Sequence, residues 1–162
     1  MHNLSHLGAG SALVAGGVQQ PMPKIQLRMT TGGTVTQGVS TKGGRKEQPF
    51  YTRAAAIVYL DPSDFNMLQI YPNSPVKVTS KYGEIIAIAD LSPDAPHPGV
   101  SFMPRGPWVN HVVDPETYSN GTPMYKETDV TIEPCEGAEK PLNMQEFIRK
   151  NYIEKFWKGS LS

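Results

Sequence analysis

The chain has 162 residues, enough for one domain of ordinary size with extensions. Fifteen basic and fifteen acidic residues cancel, so the electrostatic footprint of a general nucleic-acid or membrane-surface binder is absent. Charged residues make up 19% of the chain, below the usual roughly 25%, and fifteen Gly with fifteen Pro exceed their usual joint share of about 12%, which favours turns and short strands over a helical bundle.

Residues 1–23 are rich in Gly, Ala and Ser and end in QQPMP, where Pro21 and Pro23 stop any helix. They read as a flexible arm. Residues 4–18 are only mildly apolar with no Lys or Arg before them, a poor signal peptide. No run reaches the ~18 apolar residues of a membrane span, so the expectation is a cytoplasmic protein.

Residues 24–31 (KIQLRMTT) alternate Ile25, Leu27 and Met29 on one side, a strand signal. The strand runs into TTGGTVTQG, residues 30–38, read as a Gly-rich loop. Residues 53–60 (RAAAIVYL) form a continuous apolar run consistent with a buried strand. Asp61 as a cap and Pro62 at the first helical position start a short helix over 61–70. Residues 76–80 and 84–89 alternate around a turn at 81–83 and read as a β-hairpin.

A further strand is expected at 100–103, inside a run of unusual composition, residues 99–126. It is too rich in Pro and Gly and too aperiodic for one helix or strand, and a loop this long tends to be functional or disordered. Phe102, Met103, Trp108, Val109, Val112, Val113, Met124 and Tyr125 can anchor it. Trp108 is readable either as such an anchor or as a platform for a ring. A last strand is expected at 128–133, then a helix over 142–157 capped by Asn143 with Glu146 three residues on. That helix either packs on its own barrel or docks on a partner.

Few catalytic patterns are present. There is no GxSxG elbow, and neither His97 nor His111 has a triad context. No HExxH or EF-hand spacing occurs, and one cysteine, Cys135, excludes an internal disulfide. Anion binding fits better. Gly-rich turns after strands expose N–H groups to phosphates, and residues 30–38 add threonine hydroxyls and the Gln37 amide. Residues 99–126 add Arg105 and Lys126 as cations and Asn110 as a reader of a heterocycle edge. Four prolines in that run restrict its freedom before binding.

These residues match a pattern. TTGGTVTQG, IVYLDPSDFNML, VKVTSKYGEIIAIA, SPDAPHPGVSFMPRGPWVN and PMYK, spread over residues 25–134, resemble the small cofactor-binding subunit of formylmethanofuran dehydrogenase. That tungsten or molybdenum enzyme belongs to methanogenic archaea. The small subunit is a molybdopterin dinucleotide-binding domain, similar to the C-terminal domain of formate dehydrogenases. The resemblance implies a mostly β fold, a double-psi β-barrel over 24–134, with an arm at 1–23 and a helical extension at 135–162. It implies a non-catalytic chain closing over two molybdopterin guanine dinucleotides that ligate W or Mo. A larger partner subunit would carry the metal ligand and an iron–sulfur cluster, and an amidohydrolase-like subunit would condense the formate made from carbon dioxide with methanofuran.

Position by position, the resemblance implies cofactor contacts at Thr31, Gly32, Thr34, Gln37 and Gly38, at Asn110 of an Asn-x-x-Thr motif, and at Lys126 beside Tyr125; Arg105 joins them by its charge. Three departures stand out. Gly33 occupies the arginine of a Thr-Gly-Arg loop, with Arg45 or Lys42 as replacements. Val113 occupies the threonine of Asn-x-x-Thr, and Asn73–Ser74–Pro75 replaces a Gly-Asp turn. A cofactor-binding chain of a formate dehydrogenase-like enzyme and a cofactor-free barrel that grips protein are the alternatives.

Overall fold

The computed structural model describes residues 21–43, 46, 48–117, 121, 125–137 and 139–157. Residues 1–20 of the arm expected at 1–23, Arg45 and Met124 lie outside the described residues.

Among the described residues, six strands close into a barrel: β1 (Ile25–Gly32), β2 (Ile57–Leu60), β3 (Ser74–Thr79), β4 (Glu84–Leu91), β5 (Val100–Pro104) and β6 (Thr128–Pro134). Around the barrel the order is β1-β5-β2-β4-β3-β6. β1 runs parallel to β5 and β2 parallel to β4, while the remaining neighbours are antiparallel. Parallel neighbours need crossover connections, so the chain crosses itself at the barrel ends. This is a double-psi β-barrel.

The period of two along each strand fills the interior. Ile25, Leu27, Met29 and Thr31 of β1 point inward, as do Val76 and Val78 of β3, Ile85, Ala87 and Ala89 of β4, and Val130 and Ile132 of β6. Leu60, Leu68 and Met103, each fully buried, complete the core. At about 25 cal/mol per Å² of apolar surface, such side chains are the main source of stability.

Short helices decorate the barrel: α1 (Val35–Lys42), α2 (Pro49–Ala55), α3 (Pro62–Leu68) and α4 (Pro107–Asn110). Asp61 caps α3 by accepting the Ser63 N–H at 2.9 Å, and Pro62 takes the first position. Asn73, just before β3, sits at φ 68°, a left-handed geometry that asparagine tolerates, so it can stand where the resembling family has glycine.

Two expectations need correction, and one open reading is decided. Residues 30–38 are not a loop throughout: only Gly33 and Thr34 link β1 to α1, and the Thr34 hydroxyl caps the helix by accepting the Gln37 N–H at 3.1 Å. The apolar run 53–60 is not one strand. Its first part ends α2, and a break at Ala56 precedes β2; a continuous apolar run suits a buried helix end as well as a strand. The run 99–126 contains β5 and then the single turn α4, in which Trp108 is fully buried. Trp108 is an anchor, not an open ring platform.

Beyond the barrel, Asn143 accepts the Glu146 N–H at 2.9 Å while the Glu146 carboxylate accepts the Asn143 N–H at 3.3 Å, a capping box. It starts α5 (Met144–Ile148), which widens into a π-turn over Arg149–Ile153 and ends as α6 (Glu154–Trp157). Phe147 is buried, whereas Ile153 and Phe156 are exposed, so the first half of the segment packs on its own chain. Among the described residues no helix is long and apolar enough to cross a membrane.

Candidate functional site

Because β1 and β5 are parallel and Gly32 pairs with Pro104, both strands leave the barrel at the same end, side by side. The Arg105 N–H donates to the Gly32 carbonyl at 2.9 Å, and the Thr31 N–H donates to the Tyr125 carbonyl at 2.9 Å. The Arg105 guanidinium lies 4.9 Å from the centre of the Tyr125 ring, within cation–π range. The end of β1, the residue after β5 and the approach to β6 therefore meet at one point. Thr31, Gly32, Arg105 and, next to Tyr125, Lys126 come together there.

Gly32 makes a close approach. A Cβ at this position would lie 3.1 Å from Phe102 Cε2, so any side chain here would need that ring to give by a few tenths of an ångström. Gly33 and Gly38 are different: a Cβ on either would meet nothing within 4 Å. An arginine at 33 would project into open space, so its absence removes a side chain without reshaping the loop. Lys42 closes the last turn of α1. At 1.5 Å rise per residue it stands about 12 Å along the axis from Thr34, a poor positional substitute. Gln37 donates its side-chain amide to the Thr41 hydroxyl at 3.2 Å, which ties it into α1.

The Thr31 hydroxyl is the most telling atom of this cluster. It continues the inward alternation of β1, Thr31 is only 6% exposed, and Oγ1 has no hydrogen-bond partner among the described residues. A buried hydroxyl left unpaired costs about 1–3 kcal/mol. The Thr52 and Ser101 hydroxyls share that state. Of the three, Thr31 stands at the strand end beside Arg105 and the Tyr125 segment, where a ligand oxygen or nitrogen could meet it.

Asn110 is exposed at the end of α4, one turn beyond the joint, where its N–H donates to the Gly106 carbonyl at 3.1 Å; α4 packs against Tyr51 of α2, β4 and α5. Lys126 also lines a polar groove of about 840 Å³ running past Arg28, Lys81, Tyr82, Asp114 and Asp129. Asp114 is held below the ordinary carboxylate range, first by the Glu116 N–H and then by the Tyr82 hydroxyl. No signal in the sequence marked the 81–83 turn for this groove; the barrel closure brings it there. Phe102 and Tyr125 are likewise site-shaping residues whose part emerges only in three dimensions.

The ionisable side chains offer little chemistry of their own. Among the described residues no group of three or more His, Cys, Asp and Glu side chains could hold a metal ion. The Cys135 thiol is pushed up to about 11 by burial and then by the neighbouring Glu139, so at neutral pH it is not a thiolate. His97 is structural: Nδ1 is 3.0 Å from the Val100 carbonyl and Nε2 2.6 Å from the Ser92 hydroxyl.

Residues 27–129 match the family model described as Molydopterin dinucleotide binding domain. The chain is 35% identical over 127 residues to Protein FwdD of Methanocaldococcus jannaschii, covering 78% of this chain and 95% of that protein. It is 28% identical over 131 residues to a subunit of the molybdenum-containing formylmethanofuran dehydrogenase 1 of Methanothermobacter thermautotrophicus, covering 81% of this chain but 32% of that longer protein. Among solved structures, acetylene hydratase from Pelobacter acetylenicus shares the fold at a TM-score of 0.50 and 14% identity, over 70% of this chain and 18% of that one. The chain thus belongs to the family of molydopterin dinucleotide binding domains, as an FwdD-like member.

Proposed function

We propose that this chain is the non-catalytic cofactor-holding subunit of a cytoplasmic formylmethanofuran dehydrogenase. The observation that carries the reading is the unpartnered, buried Thr31 hydroxyl at the joint of β1, β5 and the Tyr125 segment, with Arg105 beside it. The donor set suits a pterin dinucleotide: a hydroxyl and a glycine at the strand end, one guanidinium, one ammonium and an exposed carboxamide.

In this reading Thr31, Gly32 and Arg105 hold polar oxygens of the cofactor at the barrel mouth, and Lys126 adds charge from the groove side. Thr34, Gln37 and Gly38 shape the opening through α1, and Asn110 reads a heterocycle edge. When bound, two molybdopterin guanine dinucleotides would supply the ligand sulfurs of a W or Mo centre, and its redox chemistry would serve carbon dioxide reduction. The metal's protein ligand and an iron–sulfur cluster belong to a larger partner subunit, and an amidohydrolase-like subunit completes the complex. The part played by this chain is to orient and to neutralise charge.

The test is to purify the complex with Arg105→Ala, Asn110→Ala or Lys126→Ala in this chain and measure extractable guanine dinucleotide per complex. Arg105→Ala and Lys126→Ala are expected to weaken retention about tenfold or more, since a charge-assisted hydrogen bond contributes about 1.5–3 kcal/mol, and Asn110→Ala several-fold, since a neutral one contributes about 0.5–1.5 kcal/mol. Full retention in all three would overturn the reading. Copurification with an amidohydrolase-like subunit separates this enzyme from a formate dehydrogenase-like one.

A further inference from the structure

α4 is a single turn of four residues, far below the length at which a helix holds in water on its own. Its shape is set by what packs on it. On one flank the Tyr51 ring of α2 lies 5.6 Å from Trp108. The other flank is covered by residues 142–152. The Leu142 carbonyl accepts the Trp108 indole N–H at 3.1 Å, giving a partner to a donor on a fully buried side chain. The Phe147 ring lies 5.9 Å from Trp108 and 5.5 Å from His111, edge-on to the latter. Tyr152 sets its ring 5.6 Å from His111 and its hydroxyl 3.2 Å from His111 Nδ1.

The π-turn explains how both aromatics reach the same histidine. In an ordinary α-helix residues five apart diverge by about 140° around the axis. Here the Glu154 N–H bonds back to the Arg149 carbonyl, a wider turn that returns the fifth residue toward the same face. The Phe147 and Tyr152 rings consequently lie 6.4 Å apart, and both grip the exit of α4. This segment lies beyond the matched residues 27–129.

We infer that residues 142–152 form a clamp that positions α4, and through it Asn110, for the dinucleotide. The inference rests on the role proposed for Asn110. Phe147 and Tyr152 are positioning residues: between them they touch Trp108 and His111, on either side of Asn110 in the chain, and they act through α4. Loosening them lowers the fraction of chains whose Asn110 is in place, and the apparent affinity for the dinucleotide falls by that same factor.

The test compares Phe147→Ala, Phe147→Leu and Asn110→Ala by hydrogen exchange of the full chain and by guanine dinucleotide content of the purified complex. Phe147→Ala is expected to speed exchange over residues 106–113 about tenfold while β6 stays unchanged. It should also lower dinucleotide content about threefold, with Phe147→Leu restoring both. Equal acceleration everywhere, or full content in Phe147→Ala when Asn110→Ala has lost it, overturns the clamp and leaves the site intact. Full content in Asn110→Ala removes the proposed role of Asn110 and the clamp with it. If Phe147→Ala does not fold, Tyr152→Phe deletes only the hydroxyl at His111. About twofold faster exchange over 106–113 then supports the clamp, and unchanged exchange overturns it.

Discussion

Thr31 and Tyr125 are joined through the main chain, the Thr31 N–H donating to the Tyr125 carbonyl at 2.9 Å, while the Thr31 hydroxyl a few bonds away has no partner among the described residues. The backbone of this residue is committed to holding the barrel mouth closed, and its side chain is left over.

Thr31→Val should therefore move two measurements in opposite directions. Replacing a buried, unpaired hydroxyl with a methyl of similar shape is expected to stabilise the isolated chain by about 1 kcal/mol, read as a higher urea midpoint. The same substitution should lower the guanine dinucleotide content of the purified complex. A variant that is less stable and retains its cofactor would contradict both halves.

Gly83→Ala tests the turn that packs against the exit of α4. The added Cβ would lie 2.5 Å from the His111 carbonyl oxygen and 2.9 Å from His111 Cδ2, and a backbone atom cannot swing aside as a side-chain tip can. The expected loss is about 2–3 kcal/mol, seen in chemical denaturation. A loss within error would mean that the His111 backbone is free to retreat.

Asp61 and Asp64 predict a pH signature. Asp61 is held below its ordinary value, first by the Ser63 hydroxyl and then by the N–H groups of Ser63 and His97, the latter donating at 2.6 Å. A depressed carboxyl contributes stability above its unfolded value of about 3.9, and that contribution is lost as pH falls through the folded value. Asp61→Asn is thus less stable than the parent chain at neutral pH, since its amide would face the His97 donor, and the gap closes in acid. Asp64 is pushed up by burial, although the Gly99 N–H opposes this. Its charge is a liability that acid relieves, so Asp64→Asn is expected to show the opposite pH trend. Denaturation midpoints at neutral and acidic pH read both; parallel curves for the two variants would refute the assignment.

Val113→Thr asks whether the hydroxyl implied by the Asn-x-x-Thr pattern has a place here. Val113 is 1% exposed and its N–H bonds to the Val109 carbonyl at 3.1 Å. A threonine hydroxyl can share that carbonyl, so the stability change should stay within about 1 kcal/mol. Because Asn110 is exposed and position 113 faces the core, dinucleotide content is expected to be unchanged. A gain in content would show that the hydroxyl does reach the cofactor.

The elements legible in the sequence were those written in local signals. Alternation in Ile25, Leu27 and Met29, the Asp61–Pro62 start, the 76–89 hairpin and the Asn143–Glu146 box each depend on residues a few positions apart. α1 was not legible because Val35, Thr36, Gly38, Val39 and Thr41 are all poor helix formers; a Thr34 cap and packing on α2 override that. The site was legible only in part. Thr31, Gly32 and Lys126 stand in recognisable strings, but the approach of Arg105 to Tyr125 and the isolation of the Thr31 hydroxyl exist only after distant segments close on one another.

The pairing of β6 with both β1 and β3 sets an order in time. During synthesis β1 and β3 each wait with an open edge for β6, and such edges invite wrong partners. A barrel sealed by the strand made last has high contact order and folds slowly for its size. Tyr125 stands just before that strand, so the Thr31 end of the barrel gains its closing wall only once this stretch has emerged. A mouth finished so late cannot be loaded while the earlier strands are being made; whatever fills it must arrive after β6 has left the ribosome.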